Sequence, residues 1–257
     1  MSRFTALMDE ADGAAQDIPV SPSSEAAQDP PVLPSSEAGA PASEVADLTD
    51  AAAAQLSVSP VLVDPIFFVD LEFTGLDPAQ HTILEIAIIV SDGTLSTLIE
   101  GPNLCIHHDD SVLTSMNEWS TEQHEKSGLT QRCRESTLGM AEAEQLVCAF
   151  IREHADGRAV LGGACVYKDK EFLDAHFPLL RPLLSHRVVD VSSVRELARR
   201  WHPSAARHCP RGTSSHRALD DIKYSIDELR YYRDACWKPI KARGQAGVAR
   251  SRASRRK

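Results

Sequence analysis

No run of apolar residues in this 257-residue chain reaches the ~18 that a membrane-spanning helix needs, so no membrane span is expected. The six cysteines (105, 133, 148, 165, 209 and 236) include no C-x-x-C pair. At this chain length a disulfide framework is not expected, and reduced thiols in an intracellular protein fit better. The N-terminus lacks a secretory apolar core, turns acidic at Asp9 and is poor in arginine, which argues against a signal or transit peptide. A soluble, cytoplasmic protein is the expectation. The basic end "ARSRASRRK" keeps a nuclear address open, and a mitochondrial one is the other alternative.

Positive charge is also missing where a long nucleic acid would need it. Residues 1–60 hold ten acids against Arg3, a net of −9, and residues 238–257 hold eight bases and no acid. The whole chain carries −10, which leaves −9 on residues 61–237. A domain that tracks a long phosphate backbone is normally basic. This one is not.

Composition divides the chain into three. Residues 1–60 are rich in Ala, Ser, Pro and acids ("VSPSSEAAQDPPVLPSSEAGAPASE") and are expected to be disordered, because so little apolar surface cannot offset the ordering entropy. The basic 238–257 tail is expected to be disordered as well. Between them, 61–237 reads as a single domain. Strands are predicted at 66–73 and 83–90, and Asp92-Gly93 signals a tight hairpin into a third, antiparallel strand, "TLSTLIEG". Helices are predicted over 112–127 and 137–154. A buried strand at 159–166 leads into a helix, "KDKEFLDAHFPLL". "RVVDV" is then a strand entering a helix capped by Ser192 or Ser193, and a final helix fills 216–236. A meander followed by β-α repeats implies an α/β fold, a mixed sheet flanked by helices.

The stretch "IFFVDLEFTGLDPAQHTILEIA" places Asp70 and Glu72 two apart inside an apolar strand, on the same side of the sheet. Two neighbouring carboxylates in low dielectric must either protonate one partner or hold a cation. Asp169 stands just after the buried strand, and Asp220 and Asp221 follow His216 at the start of the last helix. Hard divalent cations take such oxygen ligands, and nucleases hold two of them between shared carboxylates. Spacing on a helix from His216 favours Asp220 over Asp221. Glu85, in "ILEIA", reads as a structural hydrogen-bonding acid.

In order along the chain, "DLEFTGLDP", "ILEIA", "KDKEFL", "DVSSVRELARRW" and "HRALDDI" resemble the oligoribonucleases, within the DEDDh branch of the DnaQ-like 3′–5′ exonucleases. The resemblance covers roughly 66–234 and implies an RNase H-like fold. It carries the metal ligands onto Asp70, Glu72, Asp169 and Asp221 and the general base onto His216; here the family's H-x(4)-D spacing selects Asp221. Two Mg²⁺ or Mn²⁺ ions, release of nucleoside 5′-monophosphates from short RNA, and a homodimer are implied. Leu76 would wedge between bases, and Trp119 and His124 would line the nucleotide pocket. Arg187 with Ser192 would cap the 5′-phosphate, and His186 would reach across the dimer. The sequence departs from the family at Gly163-Ala164-Cys165, where G-N-S is usual, and at Ser185-His186-Arg187, where H-Y-R is usual. Short fragments, gripped by their ends, agree with the acidic domain. The rival readings are an exonuclease for longer RNA or single-stranded DNA, with the basic tail supplying phosphate affinity, and an inactive RNA-binding module.

Overall fold

Which residues alternate along the first strand decides the architecture. The computed structural model describes residues 62–155, 157–210 and 217–237. The acidic 1–60 segment, the basic 238–257 segment and His216 lie outside them. Strand β1 (Ile66–Phe73) turns Phe67, Val69, Leu71 and Phe73 to one side, where they pack in the main core with Val147, Ile151, Phe172 and Leu173. Phe68 points the other way, onto Ala87, Ile89, Ile222 and Ile226. Asp70 and Glu72 follow Phe68 in phase, so the carboxylates share a side with the last helix.

The sheet has five strands in the order β3-β2-β1-β4-β5. Strands β2 (Ile83–Ser91) and β3 (Leu98–Cys105) form an antiparallel meander with β1, whereas β4 (Ala159–Gly163) and β5 (Leu184–Asp190) run parallel to it. Strand β2 is buried throughout, because helices cover both of its sides. Helices α1 (Asp110–Leu113), α2 (Glu118–Lys126) and α3 (Leu129–Glu135) bring Leu113, Met116, Leu129 and Cys133 onto Leu84. Helix α4 (Met140–His154) and helix α5 (Val166–His176) fill the main core. Helices α6 (Val191–Trp201), α7 (Pro203–His208) and α8 (Ala218–Cys236) complete the chain. This is the mixed sheet flanked by helices that the patterns imply. No helix among the described residues is long and apolar enough to cross a membrane.

Several element ends differ from expectation, each for a local reason. The helix predicted at 112–127 breaks in two, because the Asn117 side chain accepts from the Ser120 N–H at 2.8 Å and restarts the helix there. The Asp92 hairpin is longer than two residues. Its carboxylate accepts from the N–H groups of Ser96 (2.7 Å) and Thr97 (3.1 Å), Leu95 takes φ 60°, and β3 begins at Leu98. Strand β4 stops at Gly163 rather than 166, since Cys165 turns the chain at φ 54° and Val166 opens α5. The cap of α6 is Asp190, not Ser192 or Ser193; its carboxylate accepts from both of their N–H groups, and a charged acceptor outcompetes a hydroxyl at a helix start. The last helix begins at Ala218.

Gly163 marks where β4 meets β1. Its φ is 154°, and a Cβ there would stand 2.7 Å from the Val69 carbonyl oxygen, a backbone atom unable to yield. Gly163→Ala is therefore expected to lower unfolding stability by ~1–3 kcal/mol. Gly128, at φ 71° with open space around it, should lose only about 1 kcal/mol on the same change. Urea unfolding of the two variants checks the ordering.

Candidate metal centre and active site

Strand β1 outruns β4. The two pair only from Ile66↔Val160 to Phe68↔Gly162, which leaves the far end of β1 without a strand on that side. The Leu71 N–H exposed there donates to Asp169 Oδ1 at 3.0 Å, from the first turn of α5. Asp169 thereby stands at the carboxyl end of the parallel pair, where sheets of this type collect functional groups. On the opposite approach, α8 packs Ile222 and Ile226 beneath Phe68, which swings Asp221 inward and leaves Asp220 exposed. Helical spacing from His216 points to Asp220, but the helix starts too late for that argument to hold.

Asp70, Glu72 and Asp221 each offer a carboxylate oxygen, and these oxygens lie within 4.8 Å of one another. Asp169 is not part of that triad, though its charge reaches Asp70. Burial is the main reason that the Asp70 carboxyl is held well above the usual range, and the charges of Asp169, Glu72 and Asp221 push it further. Burial likewise raises Glu72, with the charges of Glu85, Asp221 and Asp169 adding to it. The Asp169 carboxyl is pushed up to about 8 by burial, against the Leu71 N–H bond that favours its charged form. Nearby, Glu85 is paired with Arg132, Nη1 to Oε1 at 2.6 Å and Nη2 to Oε2 at 3.3 Å. A buried cluster of hard oxygen donors with its neighbouring guanidinium already committed elsewhere suits a divalent cation.

The expected substrate residues are spread around this cluster. Leu76 is half-buried in the loop after β1, and Trp119 is half-buried in the first turn of α2. His124 is only 2% exposed. Its Nε2 lies 2.9 Å from the Phe73 carbonyl oxygen and its Nδ1 4.0 Å from Glu72 Oε2, so it touches the acidic cluster itself. His186 and Arg187 are exposed on β5, an edge strand. Ser192 is half-buried, with its Oγ 3.1 Å from the Cys165 backbone N and 3.3 Å from the Cys165 Sγ. His216 lies outside the described residues.

Two supporting groups escaped the sequence reading. Arg132 as the partner of Glu85 left no signal, since the two are 47 residues apart. Asp190, which caps α6 and also accepts from the Cys165 N–H at 3.2 Å, was legible in principle from the D-x-S pattern at a strand-to-helix junction.

Residues 67–229 match the family model described as Exonuclease. An oligoribonuclease of Halorhodospira halophila is 48% identical over 169 residues, 65% of this chain and 92% of that protein. The mitochondrial oligoribonuclease of Homo sapiens is 42% identical over 186 residues, 72% of this chain and 78% of that one. Among solved structures, exonuclease I of E. coli bound to single-stranded DNA superposes with a TM-score of 0.54 at 14% identity. The match takes in 67% of this chain and 41% of that one, and at such low identity it speaks for the fold alone.

Raised carboxyl values have a sign in stability. Between its ordinary value of 3.8 and about 8, Asp169 holds a proton in the folded state that it has lost in the unfolded one. The metal-free protein is therefore expected to lose stability as pH rises across that window. Differential scanning fluorimetry in chelator should show Tm falling from pH 5 to pH 8. Added Mg²⁺ or Mn²⁺ should restore it, more at pH 8 than at pH 5, because the ligands bind deprotonated. Asp169→Asn keeps an acceptor for Leu71 and should stabilise the metal-free form by ~1–3 kcal/mol at pH 8.

Proposed function

The chain belongs to the exonuclease family, in its oligoribonuclease branch, and from that premise we propose that it hydrolyses short oligoribonucleotides from the 3′ end, releasing nucleoside 5′-monophosphates. One observation carries the reading: Asp70, Glu72 and Asp221, from the first strand and the last helix, bring carboxylate oxygens within 4.8 Å of one another. Asp169 completes the ligand set in this proposal, its Oδ1 held by the Leu71 N–H. When bound, two Mg²⁺ or Mn²⁺ ions supply positive charge for the scissile phosphate and acidify a water. His216, with an ordinary value near ~6.5, takes the proton of the attacking water. His124, wedged between the Phe73 carbonyl and Glu72, holds Glu72 in place at the floor of the nucleotide pocket. Leu76 and Trp119 meet the bases. Arg187 and Ser192 take the 5′-phosphate.

The catalytic unit is 61–237, flanked by the 1–60 and 238–257 tails, and we place it in the cytoplasm. The net −9 on 61–237 supports a substrate held at both ends rather than tracked along its length. A homodimer built on the exposed edge strand β5, with His186 stacking across it, would set the distance between the metals and the phosphate cap.

Turnover measured on end-labelled RNA of two to seven nucleotides is expected to be fastest for the dinucleotide and to vanish in chelator. Equal or faster turnover of the heptamer would sink the short-substrate reading. Removing 238–257 separates the rival, because a tail-dependent exonuclease for longer strands would lose its heptamer activity. His216→Ala should lower kcat by ~10²–10⁴-fold and leave the metal-induced rise in Tm intact. Unchanged turnover in that variant would remove the general base from the mechanism.

A further inference from the structure

On the far side of the meander from the carboxylate cluster stand two free thiols. Cys105 closes β3 and Cys133 lies in α3; their Sγ atoms are 3.2 Å apart, and both are reduced. We propose that Cys105 and Cys133 form a reversible dithiol site, closed to an intramolecular disulfide by a peroxide. The two sulfurs come from segments 28 residues apart that are already docked. Around them, the Ser136 Oγ donates to the Cys105 carbonyl at 2.7 Å, and the Cys133 Sγ reaches the Leu84 carbonyl at 3.5 Å. Bond formation requires the sulfurs to approach by only about 1 Å, toward the ~2.05 Å of a disulfide.

The two thiols are unequal, which assigns their roles. The hydrogen bond shared with Cys133, with the Arg132 guanidinium, holds the Cys105 thiol below its ordinary value. The same bond and burial push Cys133 up. Cys105 is half-buried whereas Cys133 is fully buried, so Cys105 is the group a small oxidant meets first. Its thiolate attacks one peroxide oxygen; the S–O bond forms, the O–O bond breaks, and a sulfenic acid and hydroxide result. The Cys133 sulfur then attacks the Cys105 sulfur, the S–S bond forms, and the S–O oxygen leaves. The protons of both thiols end in water, so two thiols and one peroxide yield one disulfide and two waters.

Position gives the site its interest. Cys105 is the cross-strand partner of Glu85, and Glu85 is the cross-strand partner of Glu72. Arg132, immediately before Cys133, is the residue that neutralises Glu85. A bond between Cys105 and Cys133 would tie the helix carrying Arg132 to the sheet two strands away from the carboxylate cluster.

The test uses the full chain, treated with hydrogen peroxide, then alkylated, digested and mapped by mass. A cross-linked peptide joining Cys105 to Cys133, two hydrogens lighter and restored by dithiothreitol, is expected, with a higher Tm for the oxidised protein. Cys105→Ser should keep the Tm of the reduced protein and leave Cys133 alkylatable, under denaturing conditions, after peroxide. Recovery of both cysteines as separate alkylated, sulfinic or sulfonic peptides would overturn the proposal, as would their pairing with other cysteines.

Discussion

Crowding of like charge in a buried place is the constraint on which the rest of this structure depends. Asp70 and Glu72 come from one strand, Asp221 from the last helix, and Asp169 is close enough to act on Asp70. In water these carboxylates would repel only weakly; out of water their mutual repulsion and lost hydration drive the group values up. A fold that holds such a cluster must over-determine it from all sides, and it stays poised for a cation or for protons.

The surrounding interactions read as that over-determination. Asp169 is held by the unpaired edge of β1. Glu85, directly opposite Glu72 across the sheet, would add a further negative charge, and Arg132 removes it. Helix α8, which carries Asp221, is tied to α6 by a partly buried bidentate pair, Arg195 Nε to Glu228 Oε1 at 2.7 Å and Nη2 to Oε2 at 2.6 Å. That pair links the acidic end of the site to the helix bearing Ser192. Replacing one partner of such a pair leaves an uncompensated buried charge, so its worth is geometric as much as energetic. The Phe73 and Phe172 rings, stacked at 3.9 Å, perform the same service for β1 and α5 with apolar surface.

Much of this is legible in the sequence. The alternation around Asp70 and Glu72 announced a half-charged face on an otherwise buried strand, and the three-strand meander followed by β-α repeats implied the mixed sheet. The order of short motifs implied the exonuclease family. Element ends were less legible, because they were settled by single side chains: the Asn117 carbonyl that splits a helix, the Asp92 carboxylate that lengthens a hairpin, and the Asp190 carboxylate that takes the cap from two serines. Each competes with a neighbour of similar propensity, and local sequence does not rank such competitors.

By itself the sequence determined the periodicities, and with them which residues face inward, that the second and third strands form a hairpin, and that two acids share one side of β1. Its periodicity carried no information on the rotation of α8 that turned Asp221 inward rather than Asp220, a choice only the resemblance made, nor on the partners Arg132 and Glu85, nor on the contact of His124 with Glu72. Those were decided by tertiary structure. Helix rotation is set by the packing of Ile222 and Ile226 under Phe68, and pairing across 47 residues depends on where a whole sheet and helix come to rest. Periodicity is local and is written in the chain; proximity across the fold is a property of the packed whole.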